Sequence, residues 1–153
     1  MLARRMAMAL SGAGLLGAAS TLVAEAAERQ PFGSDRRLVE QAYRAFNQAF
    51  GSGRAIAALY AERGYLLPPT HDIIRGRTDI RTFWQGLFDA GVRGHALELI
   101  TFRSDARTIV TAAKWSAKGR DAQGRPVDLG GTATIVYARR QDGRLEIWLH
   151  TWN

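Results

Sequence analysis

The chain has 153 residues, no cysteine and a formal charge of +7, from 21 Lys and Arg against 14 Asp and Glu. That length is one domain's worth, and 46% hydrophobic with 9% aromatic residues is the composition of an ordinary globular core. Disulfide scaffolds and thiol chemistry are excluded. The positive charge is scattered arginine, densest only at Arg36-Arg37 and Arg139-Arg140, without the stripe or motif of a nucleic-acid binder, so no nucleic-acid partner is expected.

The first residues read differently from the rest. Arg4 and Arg5 precede a stretch, Ala7 to Val23, rich in Ala, Gly and Leu and free of charge until Glu25. Ala24-Glu25-Ala26 then offers the small residues of a processing site. Residues 1–26 are therefore expected to be an export signal and residues 27–153 a single domain, periplasmic or secreted, with no stable membrane association once the signal is cleaved. An uncleaved membrane anchor is the alternative, because the uncharged stretch approaches the ~20 residues that span a bilayer. Arg4-Arg5 also suggests twin-arginine export, although Met6-Ala7-Met8 fits that pattern poorly.

From Ser34 onward the periodicity is helical, with Val39, Ala42, Tyr43, Phe46, Ala49 and Phe50 on one face and Ser34 or Asp35 as cap. Gly51-Ser52-Gly53 ends that helix. A shorter one presents Ile56, Leu59 and Tyr60, and a brief strand from Tyr65 to Leu67 stops at Pro68-Pro69, which lack amide donors. A short extended piece from Asp72 leads to a third helix, where Ile80, Phe83, Trp84, Leu87 and Phe88 make one stripe. Thr78 is its expected cap and Gly91 its stop.

The period then becomes alternating. Ala96 to Arg103, Arg107 to Lys118, Val127 to Arg139 and Arg144 to Trp152 read as four long strands, joined by turns at Asp105-Ala106, Arg120 to Pro126 and Asp142-Gly143. Gly130-Gly131 inside the third suggests a bulge or sharp bend rather than a phosphate site. Helices followed by a meander without strand-helix alternation define an α+β fold, three N-terminal helices packed on a curved, mostly antiparallel sheet.

If Asp142-Gly143 is a two-residue loop, Arg139 faces Glu146, Tyr137 faces Trp148, Ile135 faces His150 and Ala133 faces Trp152. One sheet face then carries Tyr137, Trp148, His150 and Trp152. The other carries Thr132, Thr134, Val136, Leu145, Ile147, Leu149 and Thr151, too apolar for open water. Helices cover one face, and a second copy of the chain is expected on the other, giving a homodimer.

Several segments, Leu59-Tyr60, Leu66-Leu67-Pro68-Pro69, Gly76-Arg77-Thr78-Asp79-Ile80, Phe83-Trp84 and the ending His150-Thr151-Trp152-Asn153, resemble those of small SnoaL-like and ketosteroid-isomerase-like domains. These belong to the nuclear transport factor 2-like superfamily. The resemblance implies a cone-shaped roll with an interior pocket, and a scaffold that hosts isomerases, cyclases, dehydratases, binders and association domains. The isomerase residues do not carry over. The family's helical tyrosine falls at Ala42, with Tyr43 one residue and about 100° away. Its carboxylate base falls at Leu67 or Pro68, and its late-strand Asp near Thr134 or Ile135.

What remains is an aromatic set, Trp84, Phe88, Tyr137, Trp148 and Trp152 with Tyr60 nearby, which together with Leu67 and His150 is the expected lining for a small, mostly apolar molecule. His150 is the leading acid-base candidate, with Asp72, beside His71 in the loop after Pro68-Pro69, as its partner. Glu98 reads as a solvent-facing strand carboxylate and Glu146 as the partner of Arg139. His71, His95 and His150 have no ligand spacing, so no metal and no cofactor are expected. The readings are a ligand-binding domain, a cofactor-independent isomerase, hydratase or cyclase using His150, or an association domain with a filled interior.

Overall fold

Helix α1 spans Pro31–Ala49 in the computed structural model, which describes residues 31–153. The expected export signal and the domain boundary at residue 27 lie outside the described residues. Helix α1 starts upstream of the expected Ser34 or Asp35 cap, since Pro31 sits where a helical N–H has no partner in any case. Asp35 is instead a buried helical residue, 5% exposed, ion-paired at 2.7 Å to Arg139 Nη2. Val39, Tyr43 and Phe46, spaced four and three apart, put one face of α1 into the core.

Ser52 closes one element and opens the next. Its hydroxyl accepts from Ala55 N at the start of α2, Gly53–Ala57. Tyr60 does not belong to that helix: it begins strand β1, Tyr60–Leu67, longer than expected and irregular in register between Tyr60 and Tyr65. After a two-residue strand β2, Ile74–Arg75, α3 runs Gly76–Asp89 and buries Ile80, Trp84 and Phe88. Its N-cap is Arg75 without a side-chain bond, so Thr78 lies inside the helix. The end is as the pattern predicts, with Gly91 at φ +93° and Val92 N bonded back to Leu87 O.

Strands β3 (Arg93–Ser104), β4 (Thr108–Arg120), β5 (Pro126–Arg139) and β6 (Leu145–Trp152) complete the sheet. Its order is β2-β1-β6-β5-β4-β3. Only the β1–β6 pair is parallel, so the sheet is mostly antiparallel, and the helices pack on its inner face. Ile109, Ala113, Ile135, Tyr137 and Ile147 meet the helical stripes there. The β4–β5 register runs unbroken through Gly130 and Gly131, so neither is a bulge. A Cβ at Gly131 would stand 2.1 Å from Asn153 O, which identifies the glycine as room for the chain's last residue crossing over β5.

The last hairpin departs from the two-residue expectation. Arg140 and Arg144 close it through Arg140 N to Arg144 O and Gly143 N to Arg140 O, leaving a three-residue loop with Gly143 at φ +79°. Near the loop the register is therefore shifted by one: Arg139 faces Leu145 and Tyr137 faces Ile147. A second irregularity between Val136 and Tyr137 restores the expected pairs Ile135 with His150 and Ala133 with Trp152. Trp148 is the extra residue at this second irregularity, between Ile147 and Leu149. It points away from the core, 47% exposed, and packs edge-on against Tyr65, so it does not share a face with Tyr137, His150 and Trp152. The same shift separates Arg139 from Glu146, which pairs with Arg140 at 3.0 Å instead.

Candidate functional site

Between α1, α3 and the inner sheet face lies a cavity of about 160 Å³. Helix α3 supplies Phe83, Trp84 and Leu87, the half-buried side of its stripe together with the ring that faces the sheet. The end of β6 supplies His150 and Trp152, and the turn after β1, with Pro68 buried and Pro69 and Thr70 exposed, forms one border. Phe50, from the end of α1, joins His95 and Trp115 of β3 and β4 opposite. Apart from Thr70 and the two histidines, the lining residues are aliphatic or aromatic.

His150 is held from behind. Tyr60 Oη lies 2.8 Å from His150 Nδ1, and Trp84 Nε1–H donates to the same Oη at 3.3 Å. A phenol has one proton to give, so with the indole donating to it, Tyr60 donates to His150 Nδ1. That assigns the tautomer: His150 carries its proton on Nε2. Tyr60 is fully buried and His150 is 2% exposed. Burial lowers the His150 pKa to about 3, with nearby His95 adding to the effect, and burial pushes the Tyr60 phenol well above its usual range. The ring is therefore neutral at pH 7 and acts as a hydrogen-bond donor rather than a ready acid.

His95 is a second imidazole in the wall, and it was not singled out from the sequence. Its Nδ1 meets Asn47 Oδ1 at 3.2 Å, so Nδ1 carries the proton and Nε2 the lone pair. The ring stacks on Phe50, centroids 4.6 Å apart and planes 16° from parallel, with Trp115 also parallel to it. Burial lowers its pKa to about 4. Alternation held the clue: on β3 the residues Leu97 and Leu99 pack against the core, and His95 has their parity.

The other expected site residues fall in different places. Phe88 and Tyr137 are core residues behind the cavity, 2% and 1% exposed. Tyr137 Oη is buried without a hydrogen-bond partner, and burial together with the Tyr43 and Tyr60 phenols raises its pKa. Leu67 is half-buried on the strand position paired with Thr151, outside the lining. Asp72 is exposed and accepts from Thr70 Oγ1 at 2.8 Å, while neighbouring His71 takes a left-handed φ of +66°. Asp72 and His150 are thus not brought together in the cavity wall. Glu98 faces solvent opposite Lys114. Among the described residues no group of three or more His, Cys, Asp or Glu is placed to hold a metal, and no helix is long and apolar enough to cross a membrane.

A cone of helices on a curved sheet, open at one end to an aromatic cavity, defines the nuclear transport factor 2-like class. Solved structures share it. A ketosteroid isomerase-like protein from Erwinia carotovora atroseptica superposes with a TM-score of 0.68 at 16% identity, covering 76% of this chain and 92% of that one. A nuclear transport factor 2-like superfamily protein from Salmonella enterica gives 0.66 at 11% identity, over 79% and 91%. An NTF2-like protein with a cystatin-like fold from Novosphingobium aromaticivorans gives 0.58 at 14%, over 90% of each. Identities this low establish the fold alone. Residues 39–148 match the SnoaL-like domain model, and the chain belongs to that family. Among curated proteins no sequence matches.

Proposed function

We propose that this protein binds a small, uncharged, mostly apolar molecule in the cone cavity. The observation that carries the reading is the cavity itself: about 160 Å³ of space walled by aromatic rings. A dry apolar cavity of about 150 Å³ takes up benzene, whereas drug-sized ligands occupy roughly 300–1,000 Å³. The size suits one ring, not the four fused rings of a steroid. An association domain with a filled interior would lack such space. For a cofactor-independent isomerase, hydratase or cyclase, His150 would have to exchange protons near pH 7, and a pKa of about 3 leaves it a neutral donor that can at most polarise a carbonyl.

Thermal-shift measurements with toluene and with a four-ring steroid test the binder. Toluene at 100 times its Kd is expected to add about 2.7 kcal/mol of stability, and the steroid none. Stabilisation by the steroid alone, or by neither, removes the reading.

The outer sheet face supports a homodimer as part of the same proposal. Val110 and Ile100 are 41% and 52% exposed there, and Val110, Val136 and Leu149 lie in register across three strands. Such a contiguous apolar row favours a self-complementary contact. Sedimentation velocity at micromolar protein is expected to give a dimer, and Val110→Glu a monomer that keeps its fold. A monomeric parent protein refutes the pairing. The site of action proposed is outside the cytosol, on the character of residues 1–26 and the lack of cysteine.

A further inference from the structure

The two cavity histidines are neutral for the same reason and differ in one respect. His150 gives up Nδ1 to the Tyr60 hydroxyl at 2.8 Å and keeps a proton on Nε2. His95 donates from Nδ1 to Asn47 at 3.2 Å and keeps a lone pair on Nε2. One wall therefore carries a donor and the other an acceptor, each oriented by a partner from a different element. Both rings pack on Phe46, at 5.2 Å for His95 and 5.5 Å for His150, so they flank one phenyl group. The nearby indoles are already engaged, Trp84 with Tyr60 and Trp115 with Asn153 O.

A purely hydrocarbon ligand would cover both ring nitrogens and satisfy neither. Leaving a polar group buried and unpaired costs about 1–3 kcal/mol, so such a complex works against itself. A ring with a hydroxyl removes that cost.

We propose that the cavity selects an uncharged, single-ring aromatic molecule bearing a hydroxyl group, with His150 Nε2–H and His95 Nε2 as its paired hydrogen-bond donor and acceptor. This rests on the pocket reading above and specifies its chemistry. A carboxylate or an ammonium on the ring is rejected, because the wall holds no charge to offset its desolvation. Burial keeps both imidazoles uncharged at neutral pH, with pKa values of about 4 and about 3.

The test is calorimetric titration of the full chain at pH 7 with phenol, toluene and benzoate. Phenol is expected to bind at least ~10-fold tighter than toluene, the equivalent of one satisfied hydrogen bond, and benzoate not at all. His95→Phe retains a flat ring between Phe50 and Trp115, and is expected to bring the phenol-to-toluene ratio close to one. Should that variant lose its near-ultraviolet circular dichroism, the pair Tyr60→Phe with His150→Phe removes the opposite donor and leaves only the Trp84 indole N–H, which donates to Tyr60 at 3.3 Å, without its acceptor, and the ratio should again fall. Phenol and toluene binding equally, or a ratio insensitive to both variants, overturns the proposal while leaving the pocket reading intact. If no ring binds, both fall together.

Discussion

Between pH 7 and pH 5 the folded protein is expected to lose roughly 4 kcal/mol of stability, from two histidines each shifted below the ordinary value near 6.5. The folded state resists protonation of His95 and His150, whose pKa values are lowered to about 4 and about 3 by burial. An unfolded chain protonates both near pH 6.5, so it binds more protons than the native state throughout this window. Stability is then full above pH 6.5 and declines as pH falls, by about 1.4 kcal/mol per unit for each histidine. The decline ends only near the folded pKa values. Exposed carboxylates do not mask it: hydrogen bonds hold Asp105, Asp121 and Asp142 below the usual range, Asp142 at about 2, so they stay ionised at pH 5. Urea midpoints measured at half-unit steps give the slope directly. His95→Phe should remove about half of it, and a midpoint constant from pH 7 to pH 5 would contradict the neutral placement of the buried His150 and the half-buried His95.

Asp35→Ala is expected to cost about 3 kcal/mol. The Asp35 carboxylate is 7% exposed and the Arg139 side chain 21%, and Arg139 Nε also donates to Asp105 O at 3.0 Å. This pair ties α1 to the end of β5 and, through Asp105, to the β3–β4 turn. Removing the anion leaves a guanidinium largely out of water beside an alanine, the situation in which breaking a buried pair costs about 3–5 kcal/mol. Arg139 retains some access to solvent, which places the expectation at the low end. The surface pair Arg36–Glu40, with side chains 58% and 41% exposed, should by contrast be worth roughly 0–1 kcal/mol. Replacing both partners, Asp35→Leu with Arg139→Met, should recover most of the loss, since an apolar pair needs no solvation. Guanidinium unfolding of the two variants separates these terms. A single-variant loss below about 1 kcal/mol would place the pair among ordinary surface contacts.

The sequence by itself determined whatever depends on period and local chemistry. Ile80, Trp84 and Phe88 recur at four-residue spacing, which one helical face imposes whatever surrounds it. The change to alternation after Gly91 located the four long strands to within a few residues, because a half-buried strand shows its pleat directly. With the short motifs around Pro68-Pro69 and Gly76-Arg77, that was enough for the α+β cone. The pairs Ile135 with His150 and Ala133 with Trp152 match a count from a two-residue loop only because the irregularity at Trp148 offsets the third loop residue.

The tertiary structure decided what depends on single residues meeting across long separations. Trp148 left the inner face because it is the extra residue of the irregularity that offsets the three-residue loop, and a bulge has no periodic signature. Arg139 found Asp35, more than a hundred positions away, rather than the nearby Glu146, since both α1 and the hairpin shift had to be in place first. The partner of His150 is no carboxylate but the phenol of Tyr60, 90 positions earlier, a residue that begins a strand rather than ending a helix. His95 joined the site only when β3 brought it beside Phe50 and Asn47. Periodicity is a property of neighbours in the chain. A tautomer, a buried pair and a cavity of benzene's size are properties of neighbours in space.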